Sequence, residues 1–518
     1  MLRYAAIDIG SNSVRMMAAE VEPAMTRILA QERQVTRLGE SVFRNGRISN
    51  EALDFLCATL TRYAAGYQKF DVQGVRAVAT SAVRDSSNQQ EFLDRAGAAI
   101  GTPVEIISGQ EEARLIHLGV EARWPRPRER TLIIDVGGGS AELILSHNGE
   151  LLDAVSRPLG AVRLTELFLE SDPAAPDELH RMDAYIDEKL VAFHKRRQGE
   201  KLDRVVATSA TAAAIVCAVN KVPRQKRDAA DRLRARTAQI RQLYAEVAGR
   251  SLAARRKMVG IGPRRAEIIV AGSAVFLRTL ELFGCVSLYY STAGVRDGII
   301  ADLAARGVGR ELSQLSREQL LVVEGMAKRY GVVLRHAKRV AFLAHRLFEL
   351  LQTLHGLPPA AGKLLQAAAY LHDVGHFVSE TGHHKHSAYL IANADLPGFT
   401  NKERVTIASL CRFHRKSMPQ PRHMHFQALD PDSKRVVISL IPLLRIADAL
   451  DRGHGQRVHD LDSIIKTTGL QLLVKADQDV VKADQDADLE IWAAGEAAQA
   501  FEEVYSLPVT VQRARTKA

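Results

Sequence analysis

Two short segments of the sequence share a pattern of residues that suits the binding of phosphate. In a D-x-G-x-x-S turn the small residues let successive backbone N–H groups converge on an anion, and the leading carboxylate can hold a cation or its water. A single glycine-rich turn is usually structural, so the prediction depends on two matched copies that would face each other across a cleft. The predicted phosphate-binding residues are Asp8, Gly10, Ser11, Asn12 and Ser13 in the first copy and Gly137, Gly138, Gly139 and Ser140 in the second.

Carboxylates beside the second turn could hold a divalent metal. Glu142 follows Ser140 by two residues on a strand whose side chains alternate, so both side chains point to the same side. Asp135 and Glu142 supply the oxygen ligands that Mg²⁺ prefers and leave other positions for water and substrate phosphates. The alternative is that Glu142 is an ordinary solvated strand residue. We predict a Mg²⁺ site here, with Mn²⁺ as the other candidate ion.

A third segment that could take part in chemistry contains two adjacent acids and reads IISGQEEARL. The pattern predicts a strand, a turn at Ser108 and Gly109, and a helix that begins near Glu111 and Glu112. Because a helix N-terminus favours carboxylates, both acids could simply stabilise the helix dipole. Taken alone, the local pattern favours that structural role.

The two turns belong to longer segments that repeat each other. Residues 4–21 and 131–149 each consist of an apolar β-branched run, the turn and a second strand-like run. This order predicts strand, tight turn and strand in each copy. We therefore expect two similar α/β lobes, with one copy in each.

Helical and strand-like segments alternate between the two copies. The spacing of apolar residues predicts helices over residues 50–66 and 91–100 and a short buried strand over residues 75–80. Residues 124–130 contain two prolines and interrupt regular structure just before the second copy. We place a boundary there, which gives predicted lobes of residues 1–125 and 126–307.

The sequence pattern changes after residue 308. Strand-like runs give way to long amphipathic helical patterns, for example over residues 320–354. Thirteen of the 17 histidines lie between His336 and His459, more than composition alone would produce. The short runs 470–475 and 488–492 are predicted as strands. We expect a helical domain over residues 308–469 and a small terminal piece over residues 470–518.

Length and composition describe a multidomain globular protein. The chain has 518 residues, and its 46% hydrophobic and 25% charged residues exclude disordered, collagen-like and disulfide-dense classes. Its four cysteines form no C-x-x-C pair, which argues against a zinc ribbon or a disulfide framework. No apolar stretch approaches the roughly 18 residues of a membrane span, and Asp8 stands where a signal peptide would need an apolar run. We expect a cytoplasmic protein without a membrane span.

The positive charge of the chain is unevenly distributed. With 70 Lys and Arg against 60 Asp and Glu, the formal net charge is +10. Single basic runs are often solvated helix faces, but their concentration in one part of the chain favours a polyanionic partner. The runs are residues 123–130, 194–204, 221–236 and 250–265.

As a set, the motifs resemble those of the exopolyphosphatase/guanosine pentaphosphate phosphatase family, within the superfamily of actin, sugar kinases and heat-shock proteins. The resemblance covers nearly the whole chain. It implies an α/β fold of two actin-like (ribonuclease-H-like) lobes, followed by an all-α HD-type domain and a small C-terminal α+β piece, and it suggests a homodimer. The motifs are IDIGSNS, TSAVRDSSN, ISGQEEARL, IDVGGGSAEL, VATSATAAA, AEIIVAGSAV, STAGVRDG, HDVGHF, HHKHSAYLI and NADLPGF.

The resemblance also implies roles for individual residues. The second acid of the E-E pair, Glu112, would activate the water that attacks the terminal phosphorus, and Arg84 would hold phosphate oxygens through its planar guanidinium. Asp135 and Glu142 fall on the family's metal positions. The family also implies an anion-binding role for the loop that carries Ser209 and Thr211. There this chain has Ala-Thr-Ser-Ala-Thr in place of the usual G-x-S-G-T, so two expected glycines are alanines.

The histidine-rich segment resembles an HD-type metal phosphohydrolase domain. Adjacent His and Asp suit a divalent metal, because imidazole and carboxylate can both ligate it. Because this domain is often degenerate in the family, the alternative is a satisfied polar core with a basic rim for substrate. The intact pattern predicts a bound divalent ion. The candidate ligands are His336, His372, Asp373 and Asp448, with His386 and His414 at supporting positions.

Three classes of function are consistent with these features. The first is an exopolyphosphatase acting on inorganic polyphosphate, or its near twin, the 5′-phosphatase that converts guanosine pentaphosphate to tetraphosphate in the same site. The second is a sugar-kinase-like ATPase, which the fold allows but which would need a nucleoside pocket. The third is a regulatory binding module with an inactive site, which the intact motifs disfavour. We predict an exopolyphosphatase that does not bind nucleic acid.

Overall fold

The computed structural model describes residues 2–22, 25–126, 128–197, 199–307, 313–420, 422–427, 429–476 and 487–514. They form two compact units, Met1–Ala305 and Arg306–Ala518, called unit 1 and unit 2 below. Unit 1 contains mixed α/β structure, and unit 2 is mainly helical with a small sheet. This agrees with the fold class predicted from the sequence.

Unit 1 is built around two mixed sheets. Its strands are β1 (Leu2–Ile9), β2 (Ser13–Glu22), β3 (Met25–Val35), β4 (Gly74–Ala79), β5 (Val104–Ile106), β6 (Arg130–Val136), β7 (Ala141–His147), β8 (Glu150–Arg157), β9 (Arg204–Thr208), β10 (Arg234–Arg236) and β11 (Ser287–Tyr290). The first sheet has the order β3-β2-β1-β4-β5, and the second has the order β10-β11-β9-β6-β7-β8. Each sheet therefore belongs to one of the two lobes.

Helices cover both sheets. They are α1 (Leu38–Asn45), α2 (Asn50–Gln68), α3 (Ser81–Arg84), α4 (Gln89–Ile100), α5 (Gly109–Arg123), α6 (Ala161–Phe168), α7 (Pro176–Arg196), α8 (Ser209–Val219), α9 (Thr237–Ala248), α10 (Leu252–Arg255), α11 (Ile269–Leu282) and α12 (Val295–Gly307), with a 3₁₀ segment at Arg224–Ala230. The predicted helices at residues 50–66 and 91–100 correspond to α2 and α4, and the predicted strand at residues 75–80 corresponds to β4. Each lobe has its own apolar core under these helices.

The predicted repeat is present in both lobes as the same local structure. In each lobe an antiparallel hairpin, β1–β2 or β6–β7, surrounds the turn, and its first strand also pairs in parallel with β4 or β9. The turns close with equivalent hydrogen bonds. Gly10 N donates to Ser13 O at 3.1 Å, and Gly137 N donates to Ser140 O at 3.0 Å. The two copies thus place Asp8 and Asp135 at the ends of equivalent strands.

Unit 2 consists of helices around one apolar core, followed by a sheet of order β12-β13-β14. Its elements are α13 (Arg317–Arg329), α14 (Leu334–Leu350), α15 (Gln352–His355), α16 (Ala360–Leu371), a 3₁₀ turn at Val374–Phe377, α17 (His383–Ala392), α18 (Asn401–Phe413), α19 (Met424–Gln427), α20 (Pro431–Ala449), β12 (Val458–Lys466), β13 (Gly469–Ala476), α21 (Asp488–Ala497), α22 (Gln499–Tyr505) and β14 (Val509–Arg513). The helices described in either unit include none long and apolar enough to cross a bilayer.

One predicted strand in unit 2 is wrong. Residues 488–492 form the first turn of the helix α21, whereas the predicted strand at residues 470–475 is confirmed as part of β13. Glu490 and Ala494 are the buried residues of α21 and are four positions apart, as on one face of a helix. The five-residue window was too short to show this period, because the alanines that favour a helix follow Trp492.

Candidate functional site

A cavity of about 590 Å³ lies between the two lobes of unit 1. Most of the predicted substrate, catalytic and metal-binding residues of unit 1 are on its wall. They are Asp8, Gly10, Ser11, Asn12, Ser13, Glu112, Asp135, Gly137, Gly138, Gly139, Ser140 and Ser209. The residues that line it thus come from both repeat turns and from several other elements of both lobes, as expected of a site between two lobes.

The two repeat turns face each other at close range. A Cβ atom on Gly138 would lie 3.0 Å from Ser11 Cβ and 3.2 Å from Asn12 N. A Cβ on Gly139 would lie 2.5 Å from the Ser81 hydroxyl oxygen. A side chain at Gly139 would displace its neighbours and one at Gly138 would be tight, because the lobes approach each other there. The predicted pairing of the turns is thus present in the structure.

Glu112 lies on the cavity wall in the first turn of α5. Ser108 caps this helix, because its hydroxyl accepts a hydrogen bond from Glu111 N at 3.1 Å. Arg84 Nη1 donates to Glu112 Oε2 at 3.0 Å and to the carbonyl oxygen of Ile107 at 2.7 Å. Burial raises the pKa of Glu112 to about 7; Arg84 opposes this rise, and the charge of Asp8 adds to it.

The neighbouring acid, Glu111, has a different environment. Its carboxylate accepts hydrogen bonds from Arg76 at 3.0 Å and from Arg114 at 2.8 Å, and both arginines also donate to Asp302. Burial alone would raise the pKa of Glu111, but Arg114 and Arg76 outweigh it and lower the pKa. Glu111 therefore stabilises the interior as part of a buried ion network, and Glu112 is the acid available to the cavity.

The predicted metal ligands Asp135 and Glu142 are opposite each other on β6 and β7. Glu142 is fully buried, which excludes the solvated role considered from the sequence. Its Oε1 accepts a hydrogen bond from the Ser156 hydroxyl at 2.7 Å, and its Oε2 has no hydrogen-bond partner among the described residues. Burial, with the charges of Glu112 and Asp135, raises the pKa of Glu142 well above its usual range.

Asp135 and Asp8 complete this group of carboxylates. Asp135 accepts a hydrogen bond from the Thr208 hydroxyl. Burial raises the pKa of Asp135 and of Asp8, and Arg15 opposes the rise in both. These acids raise one another's proton affinity in a low-dielectric site, so a bound cation would stabilise their charged forms.

Arginines that the sequence analysis did not single out also line the cavity. Arg15 lies on β2, where it is opposite Asp8 of β1 on one side and Arg33 of β3 on the other. Arg296 comes from α12. Burial and the charge of Arg15 lower the pKa of Arg33, Arg265 and Arg296. Strand alternation from Ser13 could have indicated Arg15. Arg33 reaches the site only through strand pairing, which no local pattern shows.

The loop after β9 contributes through backbone geometry. Ser209 has φ +84°, in the left-handed region that favours glycine, and its hydroxyl accepts hydrogen bonds from the N–H groups of Thr211 and Ala212 at 3.2 and 3.3 Å. Ala207 lies in β9 and Ala210 in α8, where alanine adopts the backbone without strain. The two alanines that replace the family's glycines are thus accommodated.

Three of the predicted site residues are not on the cavity wall. Thr211 is fully buried and accepts a hydrogen bond from Arg265 Nη1 at 3.1 Å, so it supports an arginine of the wall. Arg84 holds Glu112, and Glu142 lies behind the wall next to Ser156. All three residues lie behind the cavity wall and contact side chains that line it.

Unit 2 brings its four predicted ligands together. The Nε2 atoms of His336 and His372 are each 3.4 Å from Asp448 Oδ1. Asp373 Oδ2 is 3.5 Å from His372 Nε2. The ligand atoms of His336, His372 and Asp373 all lie within 4.8 Å of one another, which is a suitable geometry for one metal ion.

The supporting histidines differ in part from those predicted. His414 is close to the cluster, but its partner is His383, whose Nε2 lies 3.2 Å from His414 Nε2. His383 and His386 are three residues apart on α17, so the letters HHKH alone did not show which one faces inward. Asp451, whose carboxylate is 2.8 Å from His336 Nδ1, was also missed.

Comparison with known proteins supports the fold described above. The model of the Ppx/GppA phosphatase family matches residues 17–306, and the model of Ppx/GppA phosphatase domain III matches residues 319–491. The Aquifex aeolicus Ppx/GppA family member is 28% identical, with a TM-score of 0.52, over 60% of this chain and 99% of that one. An exopolyphosphatase from Cytophaga hutchinsonii is 26% identical, with a TM-score of 0.55, over 59% of this chain and 99% of that one.

A third solved structure, an exopolyphosphatase-like protein, is 27% identical, with a TM-score of 0.56, over 59% of this chain and 98% of that one. The family models together extend from the first lobe into the terminal sheet and helix of unit 2. The motifs, the paired turns and these matches lead to one assignment. The chain belongs to the Ppx/GppA phosphatase family.

Proposed function

We propose that this chain is an exopolyphosphatase in which Glu112 is the general base. The observation that carries the proposal is the position of Glu112, a buried carboxylate on the wall of the cavity that both phosphate-binding turns also line. Its pKa of about 7 suits a base, because such a group is substantially deprotonated near neutral pH and still accepts a proton well. An exopolyphosphatase is also among the similar solved structures.

The proposed reaction is hydrolysis of the terminal phosphoanhydride. A water oxygen bonds to the terminal phosphorus while its proton passes to Glu112, and the P–O bond to the rest of the chain breaks. The shortened polyphosphate leaves as its phosphate anion. Arg84 would act as a positioning residue, because its guanidinium holds Glu112 Oε2. Backbone N–H groups of the two turns would orient the terminal phosphate oxygens.

We propose that Asp8, Asp135 and Glu142 hold Mg²⁺ beside the base. The donor set fits this ion, because it consists of carboxylate oxygens and includes the buried Glu142 Oε2, which lacks a hydrogen-bond partner in the described chain. Their raised pKa values also indicate a site that a cation would stabilise. When bound, Mg²⁺ would neutralise charge on the phosphate that is transferred to water.

The arginines of the cavity support a polymeric substrate. A second pocket of about 180 Å³ shares Arg33, Arg224, Arg227 and Arg265 with the main cavity and adds Arg264. Guanidinium groups bind phosphate oxygens through paired N–H donors. The residues described around this second pocket include no aromatic side chain, although a nucleoside base is commonly held by apolar or aromatic surfaces.

This lining favours polyphosphate over guanosine pentaphosphate and over the ATP of a kinase. The terminal anhydride of guanosine pentaphosphate could react in the same way, so that compound is the closest competing substrate. A binding module with an inactive site would have no use for a base with a raised pKa beside a carboxylate group. The homodimer suggested by the resemblance stays a prediction.

Phosphate release from long polyphosphate, guanosine pentaphosphate and ATP, measured with Mg²⁺ at matched concentrations, tests the proposal. We expect the highest kcat/KM for polyphosphate and almost none for ATP. A higher kcat/KM for guanosine pentaphosphate would instead assign the chain to the 5′-phosphatase activity. Hydrolysis of ATP alone would favour the kinase-like class.

A further inference from the structure

We propose that unit 2 holds a pair of divalent ions bridged by Asp373, in place of the single ion that the sequence indicates. The first ion would be bound by His336, His372 and Asp448, and the second by His376, His383 and His414, with one oxygen of Asp373 for each. No residue of the cavity in unit 1 takes part. The inference therefore does not depend on the proposed exopolyphosphatase activity.

The two carboxylate oxygens of Asp373 face different imidazoles. Its Oδ2 is 3.5 Å from His372 Nε2 and 4.0 Å from His336 Nε2. Its Oδ1 is 3.6 Å from His383 Nε2 and 3.4 Å from His376 Nε2. A second group of ligand atoms, from Asp373, His376 and His383, lies within 4.8 Å as the first group does. One carboxylate therefore stands between two sets of ligands.

The outer nitrogens of these histidines are already engaged. The Nδ1 atoms of His372, His414 and His383 lie 2.8, 2.7 and 3.2 Å from the carbonyl oxygens of Ala369, Cys411 and Glu380. A backbone carbonyl only accepts hydrogen bonds, so each Nδ1 carries a hydrogen and the neutral ring leaves Nε2 bare. Metal-binding histidines are commonly oriented in this way by such a second contact.

His336 follows the same rule with a carboxylate partner. Its Nδ1 lies 2.8 Å from Asp451 Oδ2, and Asp451 is fully buried and also accepts from Gln456 N at 2.7 Å. Asp451 is thus fixed on both sides and holds the ring with Nε2 directed at Asp448 and Asp373. All four inward nitrogens converge on the two carboxylates or on each other.

The inward atoms are poorly satisfied without cations. The Nε2 atoms of His336 and His372 are buried, and apart from the carboxylate oxygen of Asp448 at 3.4 Å they have no hydrogen-bond partner in the part of the chain that is described. The Nε2 atoms of His383 and His414 face each other at 3.2 Å, so two lone pairs repel when both rings are neutral. A buried acceptor without a donor is destabilising, and a cation at each position would relieve this.

Local packing brings the two ligand sets close together. The Ser387 hydroxyl donates to His372 O at 2.6 Å and accepts from Gly375 N at 2.9 Å, which ties α17 to the turn that carries Asp373. A Cβ on Gly375 would lie 2.0 Å from His383 O, so only glycine permits this approach. The positions of His372, Asp373 and His383 are therefore set by tight contacts.

The ligand types indicate which ions would bind. The mixed set of imidazoles and carboxylates suits Fe²⁺ or Zn²⁺, and its carboxylates also suit Mn²⁺, whereas Mg²⁺ prefers oxygen ligands throughout. The side chains of Asp373 and Asp448 are 21% and 27% exposed, so the cluster is open to solvent on that side. A pair of divalent ions about 3.5–4 Å apart supplies the chemistry of phosphate-ester hydrolysis.

The test is the metal content and magnetic state of the full-length protein. The protein is loaded with Mn²⁺ in the presence of excess Mg²⁺, which occupies the carboxylate site of unit 1, and is then desalted. We expect two Mn²⁺ per chain and the electron paramagnetic resonance signal of an exchange-coupled Mn²⁺ pair. His383→Asn and His414→Asn should each abolish the coupled signal and leave the signal of an isolated ion.

His386→Asn is the matched control, because His386 is on the same helix and outside the cluster; it should retain the coupled pair. Circular dichroism and thermal melting show whether each variant is folded. If a variant is unfolded, the count and the coupling in the wild-type protein decide the question. A single uncoupled Mn²⁺, no bound ion, or a coupled signal that persists in His383→Asn and His414→Asn would overturn the proposal.

Discussion

The polar centres of units 1 and 2 hold charge in different ways. In unit 1 the acids Asp8, Glu112 and Asp135 line an open cavity of about 590 Å³ together with arginines. In unit 2 imidazoles and aspartates lie in contact, with nitrogen–oxygen distances such as 3.4 Å between His372 Nε2 and Asp448 Oδ1. The first arrangement leaves space for a large anion among the charges, whereas the second leaves space only for small cations.

The same amino acid types can therefore serve separate chemistry in one chain. Burial raises the pKa of Glu112 to about 7. Burial would also raise the pKa of Asp373, but the neighbouring histidines outweigh it and hold that pKa below its usual range. A carboxylate in unit 1 is therefore suited to take up a proton, and one in unit 2 is suited to stay charged. We expect the two centres to respond independently to substitution.

The largest expected effect is that of Glu112→Gln. The substitution keeps the shape of the side chain and removes its basicity, so turnover of polyphosphate should fall by roughly 10²–10⁴-fold. Binding of polyphosphate, measured by equilibrium titration, should persist. The Mn²⁺ content of unit 2 should be unchanged. Turnover close to wild type would remove Glu112 from the role of base.

The second prediction concerns Glu111→Gln, which removes one charge from the buried network with Arg76 and Arg114. Because the arginines would then be incompletely paired in the interior, we expect the free energy of unfolding to fall by roughly 3–5 kcal/mol. Chemical denaturation of the full chain measures this. Glu105→Gln is the control, since Glu105 is partly exposed and forms one ion pair with Arg76, and its effect should be at most about 1 kcal/mol.

The third prediction concerns the salt dependence of substrate binding at the open anion site of unit 1. By analogy with nucleic-acid backbones, each phosphate contact adds roughly 0.7–0.9 to the slope of log affinity against log salt, so about four contacts weaken binding roughly 50- to 150-fold between about 50 and about 200 mM salt. Long polyphosphate should show this steep dependence, and guanosine pentaphosphate a shallower one. Equal slopes would contradict an extended arginine-lined groove.

The fourth prediction is a pH dependence that only unit 1 should produce. Glu112 acts as a base when it is deprotonated, and its pKa is raised to about 7, so kcat/KM should be constant above that pH and fall about tenfold per pH unit below it. Bound Mg²⁺ would lower this pKa, so the fall in kcat/KM would begin at a lower pH. The residual activity of Glu112→Gln should not show this fall. A profile for the wild type that is flat from about pH 5 to about pH 8 would argue against this base.

The smallest expected effect is that of Asp373→Asn on polyphosphate hydrolysis, which should leave kcat and KM unchanged. The substitution removes the proposed bridge in unit 2 and touches no residue of the cavity in unit 1. Metal analysis of the same sample should show the loss of bound Mn²⁺. A large loss of polyphosphatase activity would mean that the two centres are coupled, as in the alternative where unit 2 guides substrate.

Much of unit 1 could be predicted from local sequence patterns. The turns at Gly10 and Gly137 were found because small residues after a buried strand form the same structure wherever they occur. The helices and strands between them followed from the spacing of apolar residues. The strand predicted at residues 488–492 is wrong because a five-residue run cannot separate the two periods.

The chemical groups and the local frame of each follow from the sequence alone, because turns, caps and helix periods depend on neighbouring residues. Which groups meet depends on the tertiary structure. It directed Glu112 to the cavity and Glu111 into an ion network, brought Arg33 to Arg15 by strand pairing, and chose His383 over His386 as the partner of His414. These choices depend on the packing of elements far apart in the chain, where burial sets the strength of every charge interaction.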